Sequence, residues 1–140
     1  MANTDIVNGA IPVRHADGSN FNGATRMYLL PAADATATFV GDFVKVGGTA
    51  GAAGLTVNGI NCEGMGTIAQ AAAGDTLLGA VVAILPNFDS LGTKHRLAST
   101  ARIALVCDAP DVVYEMQDDS IGAALAAIDV GENADIIVAS

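Results

Sequence analysis

The sequence predicts an all-β (mainly β) fold: a compact β-barrel or β-sandwich over residues 26–140, an extended amino-terminal arm over residues 1–25, and at most one short helix. Three observations carry this. Two Gly-Asp steps, Gly41-Asp42 and Gly74-Asp75, each open an apolar run of strand-like composition. Leu55-Thr56-Val57 and Ile60-Asn61-Cys62 flank Asn58-Gly59, two residues that tolerate the positive φ a type I′ hairpin turn demands. Short runs of Val, Ile, Leu and Tyr recur elsewhere between Gly, Pro, Asn and Asp, the residues that punctuate sheets.

The elements follow in order. Residues 1–25 are polar, with Asn8-Gly9, Asp17-Gly18 and Asn22-Gly23 as turn signals and little periodicity, which reads as an arm or a loop-rich lead-in. Arg26 to Leu30 is a strand ended by Pro31, which has no amide to give a ladder. Phe39 to Val46 is the next strand, and Gly47 to Gly54 reads as a mobile surface loop. After the hairpin come Ile68 to Ala72 and Thr76 to Leu85. The second is apolar on both alternating faces, as suits a strand deep in a barrel or sandwich, or one at a subunit interface. Asn87 to Thr100 is a polar connection, and Ala101 to Cys107 and Val112 to Gln117 are strands joined through Asp108-Ala109-Pro110-Asp111. Ser120 caps a candidate short helix with Ile121, Ala124, Leu125 and Ile128 at helical spacing and Gly131 as terminator. Asp135 to Val138 is a last strand, an edge open to pairing with another chain or the sign of a longer native sequence.

Composition narrows the function classes. The chain has 140 residues, 51% of them hydrophobic but only 4% aromatic, with no Trp. Much of the core is then small Ala and Val, and association with copies or partners helps to stabilise it. Six Lys+Arg stand against 15 Asp+Glu, a formal net charge of -9, so neither a phosphate backbone nor an anionic membrane finds a cationic counterpart. No nucleic acid and no membrane is expected as partner. Met1 to Asp5 lacks the cationic start and apolar run of a targeting segment, which predicts a soluble protein made in the cytoplasm. Cys62 and Cys107 have no metal-ligand spacing and read as core thiols.

The residues that could carry chemistry are few. His15 lies near Asp17 and Ser19, the ingredients of a triad, but in a turn-like segment poor in rigidity. His95 stands between Lys94 and Arg96 in a loop, either simply solvated or a contact site for an acidic partner surface. Asp108, Asp111, Glu115, Asp118 and Asp119 form the densest acidic cluster, without the local spacing of a calcium loop. Gly47 to Gly54 lacks any phosphate-loop pattern. The expectation is no enzyme, no cofactor and no metal, with Val13, Arg14, His15, Lys94, His95 and Arg96 as the candidate partner contacts. A carbohydrate-binding or host-surface module of a virion fibre or tail is the alternative, and Tyr28 and Tyr114 are its hydroxyl-bearing aromatic candidates.

Several segments, taken in order, resemble tailed-bacteriophage capsid decoration, or cement, proteins. They are Asn8 to Ser19, Leu30 to Thr36, Phe39 to Val44, Ala98 to Arg102 and Cys107 to Glu115, so the likeness covers nearly the whole chain. The resemblance implies a non-enzymatic protein on the outside of an assembled head, where it bridges major capsid protein subunits against internal DNA pressure. It also implies a β-rich homo-oligomer, often a trimer and in some cases a dimer. Proteins of this kind continue past the strand at Ile136 to Val138, whereas this chain stops at Ser140.

Overall fold

Among residues 9–117 and 126–133, which the computed structural model describes, nine strands form. They are β1 (Ile11–His15), β2 (Arg26–Leu30), β3 (Phe43–Ala50), β4 (Thr56–Val57), β5 (Ile60–Asn61), β6 (Gly66–Gln70), β7 (Gly79–Ile84), β8 (Arg102–Cys107) and β9 (Val112–Glu115). Five of them close into a barrel in the order β2-β6-β3-β7-β8, while β1 pairs with β9 and β4 with β5. The seam is β2, antiparallel to β8 from Arg26↔Val106 to Leu30↔Arg102 and parallel to β6 at Leu29↔Thr67.

The alternation of side chains along the strands explains why both faces are apolar. Leu30, Val44, Ile68, Val81, Ala104 and Val106, from all five barrel strands, form one buried cluster and fill the interior. Their neighbours point outward and are covered in turn. Leu29 and Ile103 lie under the β4–β5 hairpin with Val57 and Cys62, and Phe43 and Ala80 lie under the β1–β9 ribbon with Ala10 and Tyr114. A bulge between Val81 and Ala83 lets Ile84 pack on the interior cluster. Cys62 and Cys107 are buried free thiols.

Several boundaries differ from the sequence reading. The strand expected from Phe39 starts at Phe43, because Phe39 to Asp42 is a turn: Asp42 N donates to Phe39 O at 3.2 Å and Asp42 Oδ2 accepts from Phe39 N at 2.8 Å. Ala72 to Asp75 repeats the construction at 3.0 and 2.7 Å, and the strand expected from Thr76 begins at Gly79. Each Gly-Asp step therefore ends a turn, with its glycine at positive φ in the third position, as a type II turn requires. The loop expected from Gly47 is strand as far as Ala50, paired to Gly66 and tied by Thr49 Oγ1 to Thr67 Oγ1 at 2.7 Å. Within the arm, Ile11–His15 is a strand laid antiparallel on Val112–Glu115, with a register shift between Pro12 and Arg14. The expected helix from Ser120 and strand from Asp135 lie outside the described residues, except that Ala127–Asp129 is a single 3₁₀ turn closed by Asp129 Oδ2 on Ala126 N at 2.7 Å.

Candidate functional site

The end of the barrel where β7 stops and β8 begins is bridged by residues 85–101, and the expected contact residues Lys94, His95 and Arg96 sit on this loop. Local hydrogen bonds give it shape. Asp89 N donates to Asn87 Oδ1 at 3.1 Å, Ser90 N to Asn87 O and Thr93 N to Ser90 O, each at 3.1 Å. Asn58 of the hairpin turn donates through Nδ2 to Pro86 O at 2.6 Å and fixes the first part of the loop to the body.

Arg96 is not a surface group. It is fully buried, and its guanidinium donates from Nε to Thr100 O at 2.8 Å, from Nη2 to Pro31 O at 2.6 Å and Asp34 O at 2.7 Å, and from Nη1 to Thr36 O. Asp34 Oδ2, 3.4 Å from Nη1, supplies the counter-charge. Burial pulls the Arg96 pKa below its usual value and Asp34 opposes it, yet arginine keeps its proton. The residue turns inward because it pairs with Thr38 through two backbone bonds of 2.9 and 3.0 Å, a strand-like bridge that sends Arg96 to the opposite side from its neighbours. Its role is to hold residues 31–38 against the loop.

Lys94 is exposed and His95 half-buried. The imidazole stacks on Phe39, ring centroids 4.6 Å apart and planes 18° from parallel. Together with Asn87, Leu91, Thr93 and Arg102 they line a cleft of about 200 Å³ beside Ile84 and Leu85. Of the cations elsewhere, Arg26 pairs with Asp108 at 3.4 Å and Lys45 with Asp75 at 2.7 Å. Among the described residues, neither Lys94 nor Arg102 has a carboxylate within ion-pair distance.

No family model, curated protein or solved structure matches this chain.

The second expected group lies on β1. Val13 and Arg14 are exposed, whereas His15 Nδ1 is 3.0 Å from Asp111 Oδ2 and helps to pin β1 beside β9. The Phe39–Asp42 turn touches the first group and the residue before β1: Phe39 stacks on His95, and Gly41 O accepts from Ala10 N at 2.8 Å. The triad ingredients are not assembled as one. Ser19 donates its hydroxyl to Asp17 Oδ1 at 2.7 Å and its amide to the same oxygen at 2.8 Å, which holds the Asp17 carboxyl below its ordinary value, while His15 faces Asp111. The acidic cluster is likewise divided, since Asp108 accepts from Tyr28 Oη at 2.8 Å and Asp111 serves His15; Asp118 and Asp119 lie outside the described residues. Among the described residues no three His, Cys, Asp or Glu side chains converge on a metal-sized point. Tyr114 donates to Cys107 O at 2.9 Å, so both tyrosine hydroxyls are engaged internally.

Sequence reasoning missed Phe39 and Arg102 as partners of the Lys94–His95 pair. Arg102 was legible in principle: it shares strand parity with the interior residues Ala104 and Val106, and as the first residue of β8 it stands at the barrel mouth. Phe39 carried no such signal, because its stack depends on a contact between segments more than fifty residues apart (about).

Proposed function

We propose that this protein is a non-enzymatic structural component of a tailed-bacteriophage virion, which decorates the outer capsid surface and stabilises the head by bridging major capsid protein subunits. The observation that carries the reading is where the apolar side chains are left. The barrel interior is filled and the hairpin and the ribbon cover part of its outside, yet Phe88, Leu91 and Leu97 stay exposed on the loop that carries Lys94 and His95, and exposed Phe39 stacks on His95. Exposed apolar groups gathered with charged ones suit contact with another protein. A lattice presents that contact many times, so modest binding by each subunit of a homo-oligomer, a trimer before a dimer, adds through effective concentration. The resemblance of the ordered segments supports the same reading. The amino-terminal arm over residues 1–25 widens the contact through Val13 and Arg14, exposed on a strand anchored to the body. The site of action is the virion exterior.

Co-sedimentation tests it. Purified protein is mixed with undecorated heads from the phage whose major capsid gene lies beside this reading frame. The expected outcome is saturable pelleting at micromolar concentration and greater resistance of the heads to heat. Protein that stays in the supernatant at that concentration overturns the proposal.

A further inference from the structure

Among the described residues, the cleft at the barrel end gathers two cations that have no carboxylate within ion-pair distance. Of the chain's six Lys+Arg, Arg26, Lys45 and Arg96 are ion-paired, and two of the remaining three, Lys94 and Arg102, line the same cleft with His95. A cationic hollow on a molecule of net charge -9 draws anions toward it. Its volume of about 200 Å³ is below the range of roughly 300–1,000 Å³ that encloses a cofactor or metabolite, and fits a side chain inserted from outside. The wall is mixed: Leu91 is 74% exposed at the rim and Ile84 and Leu85 form the apolar side, while Asn87 and Thr93 add polar groups. Phe39, stacked on His95, limits the motion of the imidazole.

From these features we infer that the cleft is a docking pocket for an acidic peptide segment of a partner protein, one that inserts an Asp or Glu carboxylate between Lys94 and Arg102 and lays an adjacent apolar side chain on Leu91. Arg102 donates from Nη1 to Ala101 O at 3.1 Å and keeps Nε and Nη2 for a carboxylate, and Lys94 supplies a mobile point charge at the rim. Arg96, the third cation of the loop triplet, takes no part, because its donors are committed to internal carbonyls. The inference deepens the proposed function and rests on it for the source of the segment, a surface stretch of the bridged subunits.

The test uses the full chain, isotope-labelled and followed by amide NMR, with two capped tetrapeptides: acetyl-Asp-Leu-Glu-Leu-amide and its neutral counterpart acetyl-Asn-Leu-Gln-Leu-amide. The acidic peptide is expected to shift the amides of Asn87, Thr93, Lys94 and His95 saturably and to bind about tenfold more tightly than the neutral one. Lys94→Gln and Arg102→Gln are each expected to weaken it about threefold to tenfold. Lys94→Gln changes an exposed loop position, so its result does not depend on whether Arg102→Gln folds. Equal binding of the two peptides, shifts that map elsewhere, or unchanged affinity in Lys94→Gln overturns the inference. Co-sedimentation separates the two levels. If the wild type pellets with heads but the peptides ignore the cleft, the pocket is wrong and the decoration reading stands. If the peptide selects the cleft but the protein never pellets, the pocket stands and the decoration reading falls.

Discussion

Arg96 shows how much one side chain can decide. Four carbonyls and a carboxylate from the 31–36 and 96–100 segments converge on it; without the guanidinium Pro31 O and Asp34 O keep one backbone donor each, from Asp34 N and Ser99 N, while Thr36 O, Thr100 O and the Asp34 carboxylate lose the Arg96 contact. Arg96→Met is expected to destabilise by about 3–5 kcal/mol in urea unfolding, and Arg96→Lys by nearly as much, since an ammonium cannot reach all of these acceptors. The neighbouring Lys94→Gln is expected to change stability by less than about 0.5 kcal/mol. The two Gly-Asp turns give a second contrast. Asp75 is held below its ordinary value of 3.8, first by the hydrogen bond from Lys45 and then by that from Ala72 N, so its contribution is present above 3.8 and lost as pH falls through the folded value. Asp42 is pushed above 3.8 by burial, so it binds its proton more tightly when folded and disfavours the native state as pH rises through that raised value. Urea midpoints followed across the acid range are therefore expected to lose part of their low-pH fall in Asp75→Asn. In Asp42→Asn the same midpoints drop less, relative to wild type, near neutral pH than they do at low pH. The glycines differ too: a Cβ on Gly41 would lie 2.7 Å from Gly9 Cα, whereas one on Gly74 meets nothing within 4 Å. Gly74→Ala then costs about 1–2 kcal/mol for its positive φ alone, and Gly41→Ala costs more, as thermal unfolding will report.

At the scale of elements, the β1–β9 ribbon is attached to the barrel through Tyr114 and, just before β1, through the buried Ala10 and its bond to Gly41 O. The Tyr114 ring meets Phe43 edge-on at 5.5 Å, its hydroxyl reaches Cys107 O, and burial pushes its phenol well above the usual value. Tyr114→Phe is expected to lose about 1 kcal/mol, the net worth of one hydrogen bond. Tyr114→Ala is expected to speed hydrogen exchange at the amides of β1 and β9 while those of β7 and β8 keep their protection; uniform loss of protection would show that ribbon and barrel open as one unit. This ribbon was also the least legible element. Ile11 to His15 is short and interrupted by Pro12, and its partner lies roughly a hundred residues away, so only the folded chain brings the two together. By contrast Arg26 to Leu30 and the Asn58-Gly59 hairpin were legible because Pro31 and the turn pair mark their ends locally. The Gly47 to Ala50 stretch misled because its small residues resemble a linker, although it is held by pairing to β6. The inward turn of Arg96 was hidden for a related reason, since backbone carbonyls leave no trace in residue identity.

On the scale of the whole molecule, the barrel has no free edge and its interior is filled, while the hairpin and the ribbon cover part of its outside and leave Met27 and Val46 exposed. The barrel order has a further consequence for how the chain is made. Before β8 exists, β2-β6-β3-β7 is a four-stranded open sheet with β2 and β7 as bare edges, and β8 is the one strand that hydrogen-bonds to both. The two seams that β8 closes can therefore form only once residues 102–107 have been made, and until then β2 and β7 are expected to present unpaired edges. A chain cut after Thr100 is expected to aggregate or yield to protease, and a separate fragment carrying residues 101–117 to rescue it by strand complementation. β8 is the keystone of the arch, and the shell has no strength of its own until that stone is set.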